Sequence, residues 1–177
     1  MNLDIPIENI PGVLLHSFHS RSDERGNFAK PLIFAPNEIS EELSICYTQN
    51  KRKGTVRGLH LQLMPKGETK HVTCIRGAIF DVVLDLRRDS TTFLSFAYTK
   101  LDEKSPVTLV IPPGVAHGYQ TLQDETLVLY GIQGRYSEKE SVTINPFDSQ
   151  LRLNWPLALT NVSEQDKSAP PLSFYIG

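Results

Sequence analysis

The chain has 177 residues, 40% of them apolar and 21% charged, with a formal net charge of −2. That length suits one domain with a sizeable core. The charge balance, with no basic stripe and no polybasic segment, argues against nucleic acid and against a membrane surface as partners. The opening, Met1 to Val13, carries two acids and no basic stretch, which speaks against a secretory leader. No apolar run approaches the roughly 18 residues needed to cross a bilayer. Cys46 and Cys74 are too few for a disulfide framework and read as small buried hydrophobes of a cytoplasmic protein.

The first element in chain order is NEISEEL (37–43), long enough for one or two helical turns. Short runs rich in β-branched and aromatic residues follow. They are LSICYT (43–48), TVRGLHLQL (55–63), TKHVTCIRG (69–77), AIFDVVLDL (78–86), FLSFAYTKL (93–101), VTLVIP (107–112), ETLVLYGIQ (125–133) and SVTI (141–144). IRGAIF reads as a tight hairpin in which Gly77 takes positive φ. SEQDKS (163–168) predicts a short helix, with Ser163 as N-cap and Asp166 three residues later as in a capping box; APPLS then stops it. Turn signals roughly every 8–12 residues predict a sandwich or barrel. The expectation is one all-β domain over residues 1–177 with a few short helices and a C-terminal arm.

Two histidines fall inside this pattern. His60 lies mid-strand, and His117 follows the turn Pro112-Pro113-Gly114. Pro112, Gly114 and His117 resemble the second motif of cupin barrels. A metal-binding cupin has His-x-His in its first motif, but here the triplet is His60-Leu61-Gln62. Glutamine is a poor ligand beside imidazole, and Glu68 adds only one acid, so no metal is expected. Ordinary core packing is the alternative for each histidine. Against it, Arg57, His60, Gln62 and Lys70 are interleaved with Val, Leu and Ile, and buried charge is costly unless paired or used. In a regular strand Arg57 and His60, three apart, face opposite ways unless a bulge near Gly58 re-aims them. His60 and Gln62 share a face. From the residues alone this is a barrel with a polar cavity.

The motifs RGLHLQ, KHVTCIRGAIFDVVLDLRRDS, IPPGVAHGYQTL, LVLYGIQGRYS and NWPL occur in that order, with DERGNF ahead of them and SEQDKSAPPL behind. Over about residues 10 to 172 the chain resembles the dTDP-4-dehydrorhamnose 3,5-epimerase family. The resemblance implies a cupin-type jelly-roll β-barrel, a homodimer, no metal or organic cofactor, and a nucleoside-diphosphate 4-keto sugar as substrate. It implies a catalytic role for His60 as base, Asp166 as its carboxylate, Tyr130 as proton donor and Lys70 beside the keto oxygen. It gives Arg57 to the diphosphate and places His117 and Gln62 in the same cavity. Gln49 and Asn50 fall near polar positions that in the family contact the nucleotide. Arg25 and Phe28 lie on an arm that in the family reaches across the dimer to the base, and Tyr136 is a second tyrosine near base or sugar.

The chain departs from the family pattern at Lys30, where an acid is common, at Gly131, where Lys is common, and at Glu140, one residue out of register. These departures leave open which sugar is used and whether C3, C5 or both are inverted. The rival readings are a ketoisomerase on the same scaffold, a non-catalytic sugar-nucleotide-binding cupin, and a metal-dependent cupin oxygenase, which Gln62 disfavours.

Overall fold

The structure is a computed structural model; it describes residues 4–7, 10–32, 34 and 42–176. Two antiparallel sheets face each other. The six-stranded sheet has the order β1 (Asp4–Pro6), β2 (Leu14–Ser17), β10 (Val107–Ile111), β7 (Thr69–Arg76), β12 (Thr126–Gln133), β5 (Leu43–Asn50). The five-stranded sheet has the order β13 (Ser141–Thr143), β6 (Val56–Gln62), β11 (Val115–Thr121), β8 (Ala78–Asp85), β9 (Phe96–Asp102). Strands β3 (Ser20–Asp23) and β4 (Gly26–Ala29) form a separate hairpin. Helices α1 (Glu164–Lys167) and α2 (Ser173–Ile176) lie at the end of the chain.

The strands divide their apolar residues between two cores. Val72, Ile79, Val83, Leu109, Ile111, Val115, Tyr119 and Val128 fill the space between the sheets. Leu59, Leu61, Val82, Leu84 and Ala116 point the other way and pack under Leu151, Leu172, Trp155 and Tyr175 of the C-terminal arm. The five-stranded sheet is therefore covered on both faces. This explains why β8 reads as a nearly unbroken apolar run, not as an alternation.

Gly77 has the expected positive φ, +77°, but the turn is a corner and not a hairpin. β7 lies in one sheet and β8 in the other, with β9 and β11 as partners of β8. An added Cβ at Gly77 would stand 2.5 Å from the Thr126 hydroxyl, so the chain crosses between sheets where no side chain fits. The helix expected at 37–43 falls mostly outside the described residues; Leu43 opens β5. The short helix expected at 163–168 forms, and the Ser163 side chain accepts from the Asp166 N–H as a cap. Among the described residues no helix is long and apolar enough to cross a membrane.

Candidate active site

The pairing of β6 with β11 sets His60 opposite His117 and Arg57 opposite Tyr119, with a register shift between them. Gly58 and Leu59 thus stand against Gly118 alone. This is a β-bulge, and it turns Arg57 and His60 toward one cavity instead of opposite faces. Gly58 has φ +109°, and a Cβ there would lie 2.6 Å from the Gly118 Cα and 2.7 Å from the His117 carbonyl oxygen. Only glycine fits both demands.

The cavity has a volume of about 380 Å³ and is walled by both sheets. On the β6 side, His60 Nε2 meets Asp166 Oδ1 at 2.8 Å. Asp166 Oδ2 accepts the Gly58 N–H of the bulge at 3.2 Å. Burial pushes this carboxyl up, but the hydrogen bonds from His60 and Gly58 outweigh it and hold Asp166 below the usual carboxylate range. The His60 side chain is 45% exposed, whereas that of Asp166 is 4% exposed. The imidazole is open to the cavity and its carboxylate is sealed behind it.

On the opposite sheet stand Lys70 of β7 and Tyr130 of β12. The buried Lys70 Nζ donates to the His60 carbonyl oxygen at 2.9 Å and pairs with Glu68 at 3.2 Å. Burial lowers the affinity of Lys70 for its proton, and Glu68 works against that loss. Burial and the neighbouring Tyr119 keep the Tyr130 phenol protonated well above its ordinary range. Thr48, which bonds the Tyr119 hydroxyl at 2.8 Å, acts in the other direction on Tyr130.

Arg57 also lines the cavity, and its Nε donates to Asn50 Oδ1 at 2.8 Å. Asn50 is itself buried and donates to the Thr126 carbonyl. It stands behind the guanidinium and outside the cavity wall. His117 lines the cavity and bonds Asp81 at 2.8 Å. Gln62 lies off the cavity wall, because its amide is spent on the backbone of Lys66, Arg135 and Ser137. Tyr136, just beyond, does line the cavity. Arg25 and Phe28 sit on the exposed β3–β4 hairpin, with Arg25 paired to Asp23 at 2.6 Å, away from the cavity. Gln49 pairs with Glu125 instead of reaching the site. Among the described residues no group of three or more His, Cys, Asp and Glu could hold a metal ion. A wider groove of about 880 Å³, lined by Leu61, Leu63, Met64 and Leu86, opens on the other side of β6 and contains no histidine.

The model of the dTDP-4-dehydrorhamnose 3,5-epimerase family matches residues 8–173. The chain belongs to this family. It is 40% identical over 120 residues to the dTDP-4-dehydrorhamnose 3,5-epimerase of Sinorhizobium fredii, covering 67% of this chain and 62% of that one. It is 37% identical over 117 residues to the dTDP-4-dehydrorhamnose 3-epimerase of Streptomyces niveus, covering 66% of this chain and 56% of that one. The chain thus spans less than two thirds of the length of these relatives. The crystal structure of the Bacillus anthracis dTDP-4-dehydrorhamnose 3,5-epimerase, with TDP and PPi bound, superposes with a TM-score of 0.88 at 30% identity, covering 97% of this chain and 100% of that one. The two-sheet sandwich is accordingly the cupin-like jelly roll of these epimerases.

Four residues at this epimerase-family site were given no role there by the sequence: Asp81 and Tyr119, although both lie within quoted motifs, Thr48, and Glu68, which was weighed only as a metal ligand. Asp81 had a signal. It is an acid between Phe80 and Val82 in a strand that is otherwise apolar up to its terminal Asp85, and it shares the inward parity of Ile79 and Val83. Its partner follows from register, since β8 pairs Asp81 with Tyr119 and Val83 with His117. Sequence alone does not supply that register.

Proposed function

We propose that the chain epimerises C3, C5 or both of a nucleoside-diphosphate 4-keto-6-deoxyhexose through an enolate, without metal or organic cofactor. The observation that carries this reading is that His60, backed by Asp166, and the Tyr130 phenol face one cavity from opposite sheets, with the Lys70 ammonium beside them. A 4-keto group makes the neighbouring C–H bonds acidic. Asp166 takes the ring N–H at Nε2, which leaves the Nδ1 lone pair of His60 as the base. The enolate oxygen receives the charge of Lys70, and Tyr130 returns a proton from the other face. Asn50 occupies only Nε of Arg57, so both terminal nitrogens are left for a diphosphate, in keeping with the TDP and PPi held by the Bacillus anthracis relative. The Streptomyces niveus relative, a 3-epimerase by name, supports inversion at C3 alone as the narrower form of the same reaction.

The chain acts in this reading as a single cytoplasmic domain in a homodimer, where the β3–β4 hairpin brings Arg25 and Phe28 to the partner's nucleotide. Incubating dTDP-4-keto-6-deoxyhexoses with the protein in D2O, and following C3 and C5 by NMR, tests the reaction. Deuterium uptake with inversion is the expected result. Carbonyl migration without inversion would assign a ketoisomerase, and tight binding without exchange at either carbon would assign a binding protein.

A further inference from the structure

The ammonium of Lys70 has three N–H bonds. One goes to the His60 carbonyl oxygen at 2.9 Å, and a second meets Glu68 Oε1 at 3.2 Å. Lys70 and Glu68 both line the cavity, although their side chains are only 9% and 12% exposed. That leaves one N–H for whatever oxygen enters. A charged ammonium buried this deeply loses its proton readily unless a counter-charge stands close. Around the same cavity lie His60 and Arg57 on β6, Asp81 on β8, His117 and Tyr119 on β11, Cys46 on β5 and Tyr130 on β12. Asp81 also favours the charged form of Lys70, but its Oδ2 is bonded to His117. Glu68 is the carboxylate in direct contact.

We propose that Glu68 is a positioning residue: it keeps the Lys70 ammonium charged within the cavity and occupies one of its hydrogens, so that a single N–H is presented to the substrate's carbonyl oxygen. The catalytic part rests on the epimerase reading above, whereas the coupling of the two side chains does not. Glu68 is supplied by the segment just before β7, two residues from Lys70, so the pair is held by local backbone and not by a distant loop. Consistent with this, burial lowers the proton affinity of Lys70 while contact with Glu68 raises it.

Two measurements test the proposal. The first is NMR titration of the lysine side chains in the substrate-free protein, with the Lys70 signal assigned by its loss in Lys70→Met. The second is the pH dependence of α-proton exchange into D2O on a 4-keto sugar nucleotide. In Glu68→Gln both the titration midpoint and the alkaline limb of exchange should move down by about one pH unit, the size expected for loss of a neighbouring opposite charge. Exchange should recover as the pH is lowered, and KM should change less than kcat. Glu68→Asp, which keeps the charge on a shorter stem, should fall between wild type and Glu68→Gln. An unmoved midpoint, or a rate reduced by the same factor at every pH, overturns the proposal. If the midpoint moves but the wild type exchanges no 4-keto sugar nucleotide, the epimerase reading fails and the side-chain coupling stands.

Discussion

His60 and His117 are paired in register on neighbouring strands, and each binds a carboxylate at 2.8 Å. Their surroundings then diverge. The His60 side chain is 45% exposed, and Asp166 behind it has both oxygens bonded. The side chain of His117 is 6% exposed and that of Asp81 is 1% exposed, and Asp81 Oδ1 has no hydrogen-bond partner among the described residues. Asp166 is held below the ordinary carboxylate range, whereas burial pushes Asp81 above it. One local motif therefore gives an imidazole open to a ligand and an imidazole built into the wall. Access and hydrogen-bond completeness separate the two, not the dyad itself.

The largest effect is expected at His60. His60→Ala should lower deuterium exchange at C3 and C5 by about 10²–10⁴, the usual worth of a general base, while nucleotide binding persists. Exchange at the wild-type rate would move the base elsewhere, with His117 the next residue to test. Tyr130→Phe should leave exchange largely intact and reduce net inversion by at least about tenfold more than exchange, because the proton then returns to the face it left. Inversion as fast as wild type would assign the acid to another group. Asp166→Asn should cost less than His60→Ala, because it disturbs orientation and not the base.

Stability should separate the dyads by sign. The folded-state affinity of Asp166 for a proton is depressed, so its contribution is present above the ordinary carboxylate pKa of about 3.9 and is lost as pH falls through the lower folded value. For Asp81 the folded value is raised, so its contribution is complete below about 3.9 and is lost as pH rises through the folded value. The Tm penalty of Asp166→Asn should grow as pH rises toward about 4 and then stay level to pH 7, whereas that of Asp81→Asn should shrink as pH rises above about 4. Parallel trends in thermal melts would remove the distinction. The smallest effect is expected from metal removal: exhaustive chelation should leave turnover unchanged, and a loss restored by one divalent ion would overturn the cofactor-free reaction.

The two dyads were unequally legible in the sequence. The β-runs gave β5 to β10, β12 and β13, because each is short, β-branched and bounded by turn residues, but they did not include β1, β2 or β11. His60 and Arg57 stood out because they are polar in apolar company. The spacing of three placed them on opposite faces, and Gly58 was the one hint that a bulge would bring them together. The SEQDKS segment announced a cap, and the cap forms, but the same residue also turns its carboxylate to His60. A backbone N–H and a side chain can serve different ends, and a capping pattern reports only the first. Asp81, the sheet crossing at Gly77 and the backbone bonds of Gln62 depend on which strands lie side by side. Local composition does not encode that pairing.

The carboxylate behind His60 comes from α1, 106 residues further along the chain. Asn161 brings the intervening arm alongside β6, bridging Thr55 and accepting from the Val56 N–H at 2.9 Å. All thirteen described strands precede that arm in the order of synthesis. A growing chain can therefore close its sheets and shape its pocket while the imidazole still lacks its partner. Competence for proton transfer would then be acquired last, when the arm docks, and a product clipped before residue 163 would hold ligand without turning it over.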